Sequence, residues 1–179
     1  MAITKHPIQR LASPSWSASA LVHLLGIASF SASFRWLVIF PNPENEKFGG
    51  SFQFLTIIGL ATALTSMVLG FLADLTSSQT LFTAKNIISV CSTPLEVLIS
   101  ILYWGIRFID PRLLFPEELQ LPFLPDFGFH AMPAIMLSLD LLLFSPPWTI
   151  KFQGAVALST FLAFAYWAWI EYCFSYNQT

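Results

Sequence analysis

Five stretches of this chain are almost wholly apolar, and each is long enough to cross a bilayer. They run from Ser17 to Phe40, Ser51 to Ala73, Ile87 to Ile109, Phe127 to Phe144 and Phe152 to Phe174. A helix needs roughly 20 apolar residues to span the hydrocarbon core. The pattern therefore predicts an all-α fold, a polytopic transmembrane helix bundle with five helices. Residues 1–16 read as a polar N-terminal tail and residues 17–179 as a single transmembrane domain. The links are short, apart from "DPRLLFPEELQLPFLPD" at 110–126. That link mixes apolar residues with prolines, which places it along the membrane interface rather than in water.

Composition supports the membrane reading. The 179 residues are 55% hydrophobic and only 10% charged, against about 25% charged in an ordinary soluble domain. A net charge of −2 without a basic patch excludes a nucleic-acid partner. Helix alternation puts the 41–50 link, the 110–126 link and the C-terminus on one face, here face B. The N-terminus and the 74–86 and 145–151 links fall on face A. Face A carries Lys5, Arg10, Lys85 and Lys151, and face B carries Lys47, Arg107 and Arg112 with Arg35 nearby. This balance leaves orientation undecided by basic residues. Acids, Glu118 among them, crowd face B, but they contribute little to topology. Cys91 and Cys173 lie near opposite faces, too far apart for a disulfide. Asn177-Gln178-Thr179 forms a glycosylation sequon too close to a helix end to be used.

The polar residues inside the apolar runs carry the chemistry. At ~1.5 Å rise per residue, Thr56 lies ~9 Å, Arg35 ~8 Å and His130 ~5 Å from face B. Three polar side chains from three helices thus share one layer. Thr56, Gly59, Ala63, Ser66 and Gly70 follow helical spacing and form one stripe of small residues. Such stripes let helices approach closely, so Thr56 points into the bundle. The plain alternative is a packing seam, with Thr56 bonding its own preceding carbonyl and His130 capping a helix end. Glu96 and Asp140 form a second, deeper pair, each ~20 Å from face B, and read as a structural polar site. Asp140 is ~15 Å along the helix from His130 and cannot orient it. Asp126 stands four residues before His130 and reaches it only if the helix already starts there, which Pro125 and Gly128 oppose. The partner that orients His130 stays unassigned. His23 reads as structural. No metal-ligand spacing and no Gly-x-Ser-x-Gly elbow is present, so no cofactor is expected. Gly49 and Gly50 make a tight turn whose backbone N–H groups are candidate oxyanion donors.

"FGGSFQFLTIIGL" (48–60) and "FHAMPAIMLSLDLLLFSPPW" (129–148) resemble the androgen-induced membrane protein family, in its fungal branch. "TPLEVLISILYWGI" (93–106) and Asp110-Pro111 extend the resemblance. Mammalian members are threonine hydrolases of fatty acid esters of hydroxy fatty acids. The resemblance implies that Thr56 is the nucleophile and His130 its partner, and that the protein resides in the endoplasmic reticulum or another endomembrane. Family members continue with a Tyr-Pro motif and a further apolar helix, whereas this sequence stops at "SYNQT".

Two functional readings follow. The first is an intramembrane lipid ester hydrolase. Thr56 and His130 perform the chemistry, Gly49, Gly50 and Arg35 contact the substrate, and a lipid ester enters from the bilayer. The alternative is a non-enzymatic lipid-binding or scaffold protein, in which the same residues only pack.

Overall fold

The computed structural model describes residues 6–41, 43–117 and 120–177. Lys5, Glu118, Gln178 and Thr179 lie outside them. Six helices follow in order: α1 (Ala18–Ile39), α2 (Leu55–Thr76), α3 (Gln79–Ile109), α4 (Phe123–His130), α5 (Met132–Leu143) and α6 (Phe152–Asn177). Among the described residues there is no strand. α1, α2, α3 and α6 are each long and apolar enough to span a membrane. α4 and α5, bent by 40° at their junction, are together long and apolar enough for a fifth span. The fold is a polytopic helical bundle.

Three helix starts differ from the sequence expectation. α2 begins at Leu55 rather than Ser51, because Gly50–Gln53 form a 3-10 turn before it. The third helix begins at Gln79 rather than Ile87, so the 74–86 link shrinks to Ser77-Ser78. Ser77 ends α2 in the left-handed conformation, φ 52°. Ser78 then caps α3 by accepting the Leu81 N–H at 3.3 Å. The first turns of α3 are polar enough to read as a loop, but they bury Phe82 and Lys85. Lys85 is therefore a core residue rather than a link charge.

The fourth helix begins at Phe123, not Phe127, and breaks at Ala131 (φ −122°, ψ −45°). Pro133 explains the break. Its ring would collide with the Phe129 carbonyl in a continuous helix, and it offers no N–H. Asp126 thus falls within helix, one turn before His130.

The small-residue stripe of α2 is its buried face. Ser66 shares a 2.8 Å hydrogen bond with Ser89 of α3. A Cβ on Gly70 would stand 2.5 Å from His23 Nε2, and one on Gly59 would stand 2.5 Å from Glu96 Oε1. Only glycine admits those side chains at those two contacts. The apolar core gathers Phe30, Ile57, Leu60, Met67, Phe129 and Leu137.

Near face A, a buried polar cluster joins α1, α2, α3 and α5. His23 Nδ1 lies 2.7 Å from Asp74 Oδ2, and its Nε2 lies 3.0 Å from Asp140 Oδ1. Lys85 Nζ donates to both Asp140 oxygens at 2.9 and 2.7 Å and to Ser145 at 2.9 Å. Ser19 and the Ser15 N–H close Asp74 off at 2.9 and 2.7 Å. Each His23 nitrogen faces a carboxylate, so both donate, which is the imidazolium state. Two carboxylates then balance one imidazolium and one ammonium. Asp140 is part of a structural site, but its partners are His23 and Lys85, not Glu96. Glu96 is buried on α3 and its Oε1 has no hydrogen-bond partner.

α6 docks at its C-terminal end. Tyr166 and Trp169 donate to the carbonyls of Gln53 and Phe52, both at 2.9 Å, and Asn177 brackets Phe48 at 2.9 and 3.2 Å. Cys91 and Cys173 are both free thiols.

Candidate functional site

The layer near face B is built from the ends of four helices. α2 opens with Thr56 in its first turn, where unsatisfied backbone N–H groups favour negative charge. α4 ends at His130, buried to 7% exposure. Thr56 and His130 line one cavity of about 110 Å3. Trp36 and Leu37 of α1, Phe40 just beyond it, Phe54, Ile57, Phe129, and Phe115 and Leu121 of the α3–α4 link give it apolar walls. Asn45 and Ser51 are its remaining polar residues. Among the described residues, no hydrogen bond joins the Thr56 hydroxyl to the His130 ring; they meet through the cavity.

His130 is held from behind. Its Nδ1 lies 2.9 Å from Asp126 Oδ1 and 3.1 Å from the Asp126 carbonyl. Two acceptors on Nδ1 fix the proton there, which leaves Nε2 with its lone pair as the basic nitrogen. Tyr103 of α3 donates its hydroxyl to the same Asp126 oxygen. Its ring stacks flat on the imidazole, centroids 3.4 Å apart and planes within 1°. Arg107, one turn further along α3, places NH1 3.1 Å from Asp126 Oδ2. That contact is an ion pair without hydrogen-bond geometry, since Oδ2 has no hydrogen-bond donor. Asp126 itself is fully buried and stays compensated by these contacts.

The orienting partner of His130 is thus Asp126, which the earlier start of α4 brings into reach. Tyr103 is not singled out by the sequence and Arg107 counts there only as a face B charge, although both pairs, 103/107 and 126/130, stand four apart on a helix face. Other candidate residues fall elsewhere. Arg35 is exposed on α1 and is not among the cavity-lining residues; the cation behind His130 is Arg107. Gly49 and Gly50 have φ of 91° and 51° and form the tight turn before α2, but neither lines the cavity. The Gly50 N–H is already donated to the Lys47 carbonyl at 2.9 Å. Glu96 and Asp140 are not among the cavity-lining residues.

Comparison with known proteins decides the family. The model of the FAR-17a/AIG1-like protein family matches residues 18–179. The chain belongs to the FAR-17a/AIG1-like family. This is the family to which the resemblance at 48–60 and 129–148 pointed. A UPF0641 membrane protein of Schizosaccharomyces pombe (strain 972 / ATCC 24843) is 34% identical over 168 residues, covering 89% of this chain and 73% of the relative. No solved structure matches. As a FAR-17a/AIG1-like member with these helical spans, the protein is an integral, multi-pass membrane protein.

Proposed function

We propose that this protein is an intramembrane lipid ester hydrolase with Thr56 as nucleophile and His130 as general base. The observation that carries the reading is the shared cavity, which presents a threonine hydroxyl and an Asp126-oriented imidazole to one apolar space. A threonine hydroxyl is a weak nucleophile without a base within hydrogen-bond reach. In the reaction, Thr56 Oγ1 attacks the ester carbon as its proton passes to His130 Nε2. The carbonyl electrons move onto oxygen. Collapse of that intermediate expels the alkoxide, which takes the proton from His130. Water, deprotonated by His130, then cleaves the acyl-Thr56 ester, releases the fatty acid and restores the hydroxyl. Asp126 keeps the proton-bearing Nδ1 pointed away from the substrate and stabilises the imidazolium.

The substrate class proposed is fatty acid esters of hydroxy fatty acids or related lipid esters, as the family resemblance implies. A cavity of about 110 Å3 is smaller than the ~150 Å3 that takes one benzene. It suits the reacting ester and a few carbons, and the chains continue past Phe40 and Phe115 into lipid. Residence in an endomembrane such as the endoplasmic reticulum is proposed on the same resemblance.

The test is hydrolysis of a long-chain lipid ester by purified protein in liposomes. Thr56→Ala and His130→Ala should each abolish turnover while leaving folded yield near that of the unaltered protein. The double variant should be no worse than either single one, because a nucleophile without its base is already inactive. A fluorophosphonate probe should modify Thr56. Unimpaired cleavage by His130→Ala would refute the mechanism. Lipid binding without turnover or labelling would favour the non-enzymatic, lipid-binding reading.

A further inference from the structure

The tetrahedral intermediate needs a hydrogen-bond donor for its oxyanion, and the glycine turn does not supply one to the cavity. The polar groups around the cavity are few. Thr56 and His130 are committed to the nucleophile and base. Ser51 donates its hydroxyl to Asn45 Oδ1 at 2.9 Å. That bond fixes the oxygen end of the Asn45 amide and so fixes which end presents N–H. Among the described residues, no acceptor engages Asn45 Nδ2. Asn45 sits in the short 3-10 turn Pro43–Glu46, directly before the glycine turn that leads to Thr56. The remaining side-chain N–H donor in the lining is the Trp36 indole.

We propose that Asn45 Nδ2 is the oxyanion donor of this site, with Ser51 as the positioning residue that holds the amide in its donating orientation. The inference rests on the hydrolase reading above. A donor fixed before the reaction needs no reorganisation as charge develops, which is why such groups act on the transition state more than on the bound substrate. The apolar walls of Trp36, Leu37 and Ile57 strengthen the interaction by excluding water. Asn45 also supplies what Gly50 lacks, a cavity-side residue's N–H with no acceptor among the described residues.

The experiment measures kcat and KM separately on a lipid ester in liposomes, with folded yield and melting temperature recorded for each variant. Asn45→Ala should lower kcat by about 10²–10³-fold while KM stays within about threefold. Asn45→Asp should lose at least as much, since a carboxylate repels the oxyanion. Ser51→Ala should lower kcat by a smaller factor, about 3–10-fold, because the amide survives but rotates freely. An Asn45→Ala protein that melts normally and keeps kcat within threefold, while Thr56→Ala is inactive, overturns this inference and leaves the hydrolase reading standing. So does a loss confined to KM. An inactive unaltered protein, or a fully active Thr56→Ala, overturns the hydrolase reading itself and this inference with it.

Discussion

Asp140→Asn should destabilise the protein severely, whereas Glu96→Gln should not. Asp140 is 1% exposed and receives Lys85 at 2.9 and 2.7 Å, His23 at 3.0 Å and Ser145 at 3.1 Å. The amide keeps the shape but removes the charge. Lys85, fully buried, then faces a neutral group, and the cluster carries an excess positive charge. Removing one partner of a buried ion pair costs about 3–5 kcal/mol. At about 2–4 °C per kcal/mol for a chain of this size, the melting temperature should fall by roughly 6–20 °C. Glu96 has no hydrogen-bond or ion-pair partner among the described residues, so its amide should shift the midpoint by less than about 3 °C. This separates two acids that depth along the helices pairs as one structural site. The assay is the fraction of detergent-purified protein that remains monodisperse after heating. Adding Lys85→Met to Asp140→Asn should recover at least half of the lost midpoint, because the stranded ammonium is removed. An Asp140→Asn protein within 2 °C of the parent, or a double variant no better than the single, would refute the neutral-quartet reasoning.

Two further outcomes follow from the face B layer. Asp126→Asn should lower kcat by about 10²–10⁴-fold with little change in KM, since the amide no longer holds the Nδ1 proton or stabilises the imidazolium; steady-state ester hydrolysis checks it, and a kcat within threefold would show that His130 needs no such partner. Gly49→Ala should cost about 1–3 kcal/mol, because φ is 91° and the new Cβ would stand 2.6 Å from Cys173 Sγ; the docked end of α6 should loosen, read as faster maleimide labelling of Cys173, and an unchanged labelling rate would refute it.

Much was legible from the sequence by itself. Length and hydropathy determine how many times the chain crosses a bilayer, because a span must satisfy its backbone internally and cover a fixed thickness. Helical rise places Thr56 and His130 in one layer, since rise per residue is independent of neighbours. Helical period turns Gly59, Ser66 and Gly70 to one face. Contacts between helices were not legible, because they depend on how each helix is rotated and where it starts. Pro133 breaks the fourth span, and the start at Phe123 brings Asp126 within reach of His130. Ser78 starts α3 early and carries Lys85 inward to Asp140. Depth alone paired Asp140 with Glu96, but rotation paired it with His23 and Lys85. Depth also grouped Arg35 with Thr56, yet rotation turns Arg35 outward and brings Arg107 in behind Asp126. A one-dimensional pattern sets depth along the membrane normal; only packing sets direction around each helix, and direction decides which buried charges meet.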